Sequence, residues 1–268
     1  MVAPSRRLLR AFFGALVPVV TLATTVSSAS ASRTATSAAR ITRTAVRDSR
    51  TVLAPTHTAL AGDARALYSS TPTTLGGTLL AYPPAPSAAE RPTAFVYLHG
   101  AHGLAERGCP TFRAGASDHG WLVCPEALER DAVGHFSWGA DLRAQARVVD
   151  HALSAVPSTA LPVVVGFSQG SFVFLDLAKT HRVRARAAIL LGADIHPVVA
   201  DLRAAGVTRV VLGSGAKDAP YRSLKAEVAR LEAEGMPARF VDLGGVGHTY
   251  ATEHPAALRE AMGWAAGG

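Results

Sequence analysis

Only one long apolar run occurs in the 268 residues, and it lies at the N-terminus, which excludes a multi-span membrane protein. No H-E-x-x-H is present and the ten histidines are scattered, so the sequence offers no metal constellation. No G-x-G-x-x-G follows a first strand, which leaves dinucleotide binding unsupported, and no other cofactor is indicated. Gly and Pro, 24 and 16 residues, are too few for a collagen or a mucin, while 49% hydrophobic residues argue against disorder of the whole chain.

A basic body is missing too, although the net charge is +7. Eight of the 27 Lys and Arg lie within residues 1–50, against one acid, Asp48. The remaining 218 residues hold 19 basic and 19 acidic side chains and are neutral. A nucleic-acid partner needs a basic face, and the body of this chain supplies none.

The basic N-terminus reads as an export signal over residues 1–31. Arg6, Arg7 and Arg10 form the basic region, Ala11 to Val26 the apolar core, and Ala29-Ser30-Ala31 the small-residue cleavage site. The core is short for a membrane span, which weighs against an uncleaved anchor and predicts no stable membrane anchor in the mature protein. Ser5 to Arg10 fits a twin-arginine signal and a plain Sec signal equally. Residues 32–59, opening on an Ala, Ser, Thr and Arg stretch without apolar periodicity, read as a disordered spacer. The expected location is the periplasm or the exterior, where Cys109 and Cys124 can pair; two reduced, buried thiols are the alternative.

From residue 60 onward apolar strands alternate with helical stretches. Strands are expected at 78–82, 94–98, 121–124, 161–165, 187–191, 209–212 and 239–243. Helices are expected at 110–119, 141–153, 172–178, near 198–205, near 221–234 and from Pro255 to about Trp264. The pattern predicts an α/β domain over 60–268, a doubly wound, mostly parallel sheet covered on both faces, with no large lid domain.

The chemistry is concentrated in Gly166-Phe167-Ser168-Gln169-Gly170, a G-x-S-x-G between a β run and a helix. Such a turn presents a serine at a helix N-terminus, where the dipole favours developing negative charge. A serine needs a base, and in the chain order Ser, acid, His the base comes last. His248, in a glycine-rich loop after the last expected strand, fits better than His254, which suits a helix cap. Asp218, the only acid in the loop after 209–212, is the candidate acid, with Asp194 its rival and Asp242 less suited. Backbone N–H groups of Ala101 and Gln169 are the candidate oxyanion donors. His99 reads as a loop brace. His102 reads either as a pocket residue or as an exposed loop residue. Phe136 and Trp138 are candidates for an apolar acyl wall, or else anchor the following helix.

Over residues 64–265 this pattern resembles the α/β-hydrolases. GFSQG at 166–170, the lidless size and the Asp218–His248 spacing are similar to the carboxylesterase, phospholipase and acyl-protein thioesterase branch. The resemblance implies Ser168 as nucleophile, Asp218 as acid, His248 as base, and Ala101 and Gln169 as oxyanion hole. The residues themselves lead to the expectation of an exported serine hydrolase that cleaves a carboxylic ester or thioester, with a small-molecule or acyl-ester substrate. Dienelactone hydrolases are similar in size but carry Cys where this chain has Ser168. The oxyanion loop His99-Gly100-Ala101-His102-Gly103 departs from the thioesterase pattern, so the substrate is not inherited. A peptidase or amidase would share the triad, and a silent binding protein would share the fold.

Overall fold

The computed structural model describes residues 67–69, 78–88, 92–158 and 160–267, with side chains from residue 78 onward. The expected export signal (1–31) and spacer (32–59) lie outside the described residues.

The apolar runs become strands because most are buried on both faces and rich in Val, Leu and Ile. Val163–Phe167 (β7) and Ala187–Leu191 (β8) are buried at every position. Eight strands form one sheet in the order β1-β2-β4-β3-β7-β8-β9-β10. Thr93–Leu98 (β3), Gly120–Pro125 (β4), β7, β8, Arg209–Ser214 (β9) and Ala238–Asp242 (β10) are mutually parallel. Leu67–Ser69 (β1) and Leu79–Tyr82 (β2) pair antiparallel at one edge. The winding reverses direction beside β3, and in such sheets ligands bind at that reversal, outside the carboxyl ends of the strands.

Strand alternation divides the core in two. Val96, Leu98 and Val164 point to one face, where Val149 of Leu142–Ser154 (α2), Phe174 and Leu177 of Gln169–Lys179 (α3), Leu202 of Val199–Ala204 (α4) and Leu224 of Tyr221–Ala233 (α5) cover them. Phe95, Tyr97, Val163 and Val165 point to the other, covered by Ala105–Ser117 (α1) and Pro255–Ala266 (α6). Asp141 caps α2, its carboxylate accepting the N–H groups of Arg143 and Ala144 at 2.9 and 3.1 Å.

Helix α1 begins five residues before the start expected from Pro110, which sits inside it. A proline there costs the helix about 3 kcal/mol. The compensation is tertiary. Ala105, Cys109, Phe112 and Ala116 are fully buried at helical spacing. The Ala105 N–H donates to Glu126 Oε1 at 2.8 Å. Cys109 of α1 is disulfide-bonded to Cys124 of β4, with Cα atoms 6.1 Å apart.

A second, two-stranded element, Glu129–Arg130 (β5) with Phe136–Ser137 (β6), lies in a stretch that the sequence presents as a loop. It is tied to the loop after β3, since Gly103 and Phe136 exchange two backbone hydrogen bonds of 3.0 Å.

Candidate active site

Ser168, between β7 and α3, has φ 50° and ψ −117°, a conformation that L residues adopt only when the surroundings impose it. They do so here through close approach. A Cβ at Gly170 would stand 2.0 Å from the Leu98 carbonyl oxygen, and one at Gly166 2.7 Å from Ser171 Cα. The Ser168 N–H donates to Leu191 O at 2.8 Å, fixing the turn to β8.

Three side chains from three loops at the carboxyl edge of the sheet meet at this turn. The Ser168 hydroxyl donates to His248 Nε2 at 3.0 Å. His248 Nδ1–H donates to Asp218, 3.1 Å from Oδ2 and 3.2 Å from Oδ1. An ionised carboxylate only accepts, so this contact sets the proton on Nδ1 and leaves Nε2 free to receive one. The Asp218 side chain is buried, 6% exposed, and takes further hydrogen bonds from Ser214 Oγ at 3.0 Å and the Ala219 N–H at 2.9 Å. Phe167 packs against the imidazole, ring centroids 5.1 Å apart, and meets Tyr250 edge-on.

The other candidates are engaged elsewhere. Asp194 accepts from Ser223 Oγ at 2.7 Å. Asp242 accepts from the Tyr221 hydroxyl, which holds its carboxyl below the usual carboxylate range. His254 stands at the N-terminal cap of α6, its Nδ1–H donating to Asp242 O at 3.1 Å.

The loop after β3 reaches the serine closely, since a Cβ at Gly100 would lie 3.2 Å from Ser168 Cβ. His99 braces it. His99 Nε2 accepts the Ala127 N–H at 3.1 Å, so Nδ1 carries the proton and donates to Gly100 O at 2.8 Å. In a trans peptide the carbonyl and the next N–H point in opposite directions. Holding Gly100 O therefore aims the Ala101 N–H away from His99. Among the described residues, neither the Ala101 N–H nor the Gln169 N–H is bonded to an acceptor outside its own element. The Gln169 side chain accepts the Trp138 N–H at 3.1 Å.

A cavity of about 250 Å³ opens over Ser168 and His248. Ala101 and His102 line it. His102, with φ 51°, is both a lining residue and largely exposed, and its Nδ1–H donates to Asp131 Oδ2 at 3.0 Å. That bond is the main reason the Asp131 carboxyl is held below its ordinary range.

The sequence leaves Phe136 and Trp138 as either an apolar acyl wall or anchors of the following helix, and the cavity lining includes neither. Trp138 is wholly buried and its indole N–H donates to His99 O at 2.9 Å, so it anchors the loop from behind. Phe136 does not line the cavity; its backbone pairs with Gly103, and the Arg130 guanidinium lies 5.9 Å from its ring centroid. The walls are instead formed by Leu104, Arg107, Phe167 and Tyr250. Tyr250 was open to sequence reasoning, two residues past His248. Arg107 was not, because it precedes the expected helix start. Among the described residues no group of three or more His, Cys, Asp or Glu could hold a metal ion, and no helix is long and apolar enough to cross a membrane.

This architecture is that of the α/β-hydrolases. Among solved structures the chain is similar to an uncharacterized protein from Bacillus cereus (TM-score 0.55, 15% identity, 66% of this chain and 60% of that one). It is also similar to S-formylglutathione hydrolase from Staphylococcus aureus (TM-score 0.51, 17% identity, 72% and 95%) and to an esterase from Pyrobaculum calidifontis (TM-score 0.50, 16% identity, 72% and 80%). No protein-family model and no curated protein matches the sequence.

Proposed function

We propose that this protein is an exported serine hydrolase that cleaves carboxylic esters or thioesters through an acyl-enzyme on Ser168. The observation that carries the reading is the unbroken chain Ser168 Oγ to His248 to Asp218. A binding protein has no need of a strained serine joined to a base whose tautomer is set by a buried carboxylate.

Ser168 Oγ attacks the ester carbonyl carbon while His248 Nε2 takes its proton. Asp218 stabilises the imidazolium that forms. The tetrahedral oxyanion accepts hydrogen bonds from the Ala101 and Gln169 N–H groups. One such donor is worth about 3 kcal/mol in the transition state, provided that it is already oriented, which is the work of His99 on Gly100 O. Collapse breaks the bond to the alkoxide or thiolate, which leaves with the proton from His248. Water then attacks the acyl-enzyme, giving its proton to His248, which passes it to the departing Ser168 Oγ as the carboxylic acid is released.

The disulfide supports export, since such bonds persist in oxidising compartments. The test of the whole reading is a fluorophosphonate probe on the mature protein and on Ser168→Ala, both weighed intact. One adduct on the wild type and none on the variant is the expected result. No adduct on a folded wild type overturns the mechanism and leaves a binding protein on a hydrolase fold.

A further inference from the structure

Among the described residues, Arg107 is the only Lys or Arg lining the cavity over Ser168, and no Asp or Glu lines it. The side chain is exposed, on the first turn of α1, and among the described residues it makes no ion pair. Beside it stands His102, whose Nδ1–H is committed to Asp131, so that Nε2 is the ring nitrogen left for a ligand. Asp131 itself is occupied by three donors, the His102 ring and the N–H groups of Val133 and His135. Its negative charge is thus largely answered before a ligand arrives. Two further acids lie near the cavity without lining it: the Asp218 side chain is buried behind His248, and Glu126 is buried beneath His99, 3.4 Å from its Nε2.

A cavity with one fixed positive charge, an imidazole beside it and no opposing acid is complementary to a monoanion. The volume, about 250 Å³, falls below the roughly 300–1,000 Å³ of sites for drug-sized ligands. A long acyl chain is therefore a poor occupant. From this, and resting on the ester-hydrolase reading, we infer that the substrate is a short ester that carries a carboxylate, bound by the Arg107 guanidinium and by His102. Arg107 determines specificity; it takes no part in the proton transfers at Ser168.

The inference is testable with two isosteric pairs followed by pH-stat titration. Monoethyl succinate and ethyl isocaproate differ by a carboxylate in place of an isopropyl group on the acyl side. Acetoxyacetate and isobutyl acetate differ in the same way on the alcohol side. The wild type should favour the anionic member of one pair by about tenfold or more in kcat/KM, the size of one partly exposed charge-assisted contact. The pair that shows the preference locates the carboxylate. Arg107→Gln should erase the preference, Arg107→Lys should keep most of it, and Arg107→Glu should invert it.

Equal kcat/KM within both pairs, or a preference that survives Arg107→Gln, overturns the inference. Fluorophosphonate labelling of Ser168, which uses no carboxylate, separates the two levels. A labelled enzyme without anion preference removes this inference alone. A folded enzyme that is neither labelled nor active removes the hydrolase reading and this inference with it.

Discussion

Asp218 and His248 lie 30 residues apart in sequence and 3.1 Å apart in space, and the loops that carry them are stitched together by their backbones. The Lys217 N–H donates to Val246 O at 3.0 Å and the Ala216 N–H to Gly244 O at 2.7 Å. The residue before the acid is thus tied directly to the loop of the base, so the two move as one piece. The serine is held by β8, which lies between β7 and β9, through Leu191 O.

Asp218→Asn should keep this geometry and reverse the tautomer. An amide nitrogen donates to Nδ1, the proton moves to Nε2, and the base can no longer accept from Ser168. A fall in kcat of about 10⁴-fold is expected, with little change in KM. Steady-state kinetics on a short neutral ester, with circular dichroism to establish folding, checks this. A loss below tenfold would remove Asp218 from the mechanism.

Gly170→Ala tests the elbow. Its Cβ would meet the Leu98 carbonyl oxygen at 2.0 Å, a rigid backbone atom that cannot step aside. The variant should lose at least about 2 kcal/mol of stability, in the range of an overpacked core. Urea denaturation of both proteins measures it.

Cys109→Ser with Cys124→Ser should lower stability by about 3 kcal/mol, the chain-entropy value for a sequence separation of 15. Adding reductant to the wild type should reproduce the shift in the urea midpoint, and adding it to the double variant should do nothing.

Tyr221→Phe probes the Asp242 carboxylate. The Tyr221 hydroxyl lowers the pKa of Asp242 in the folded protein, so the bond stabilises the fold above the unfolded carboxyl pKa, near 3.8, and loses that contribution as pH falls through the lower folded value. The wild type should exceed the variant by about 1 kcal/mol at pH 7, and the gap should close progressively below pH 4. A gap that is the same at pH 7 and pH 3 would assign the loss to packing.

Much of the fold was legible because its strands are short runs of Val, Leu and Ile that end in glycine turns. Leu161 to Gly170 declares strand, turn and helix within ten letters, and the structure follows it with β7 starting two residues later. Three features were not legible, and each is fixed by contacts distant in sequence. Helix α1 starts at Ala105 because Glu126, 21 residues away, accepts that N–H. The hairpin of β5 and β6 has two residues per strand, too few to show alternation, and exists because Phe136 pairs with Gly103. The loop that carries Trp138 ends at the same sheet edge as Ser168, yet the indole N–H needs a buried acceptor, and His99 O supplies it. The three residues that meet at Ser168 were legible because the order of a nucleophile, an acid and a base along the chain is a property of the winding. The cavity walls were not, because walls are made wherever surfaces of unrelated segments face one another.

The disulfide fastens one part of the cavity covalently and leaves the rest to non-covalent contacts. The wall that carries Leu104 and Arg107 belongs to the start of α1, which is pinned to β4 through Cys109 and Cys124. The serine, the base and the acid hang from β7, β9 and β10, which share no covalent link with that helix. Reduction would therefore loosen the fastening of the wall that carries Leu104 and Arg107 and leave the contacts among Ser168, His248 and Asp218 without a covalent change.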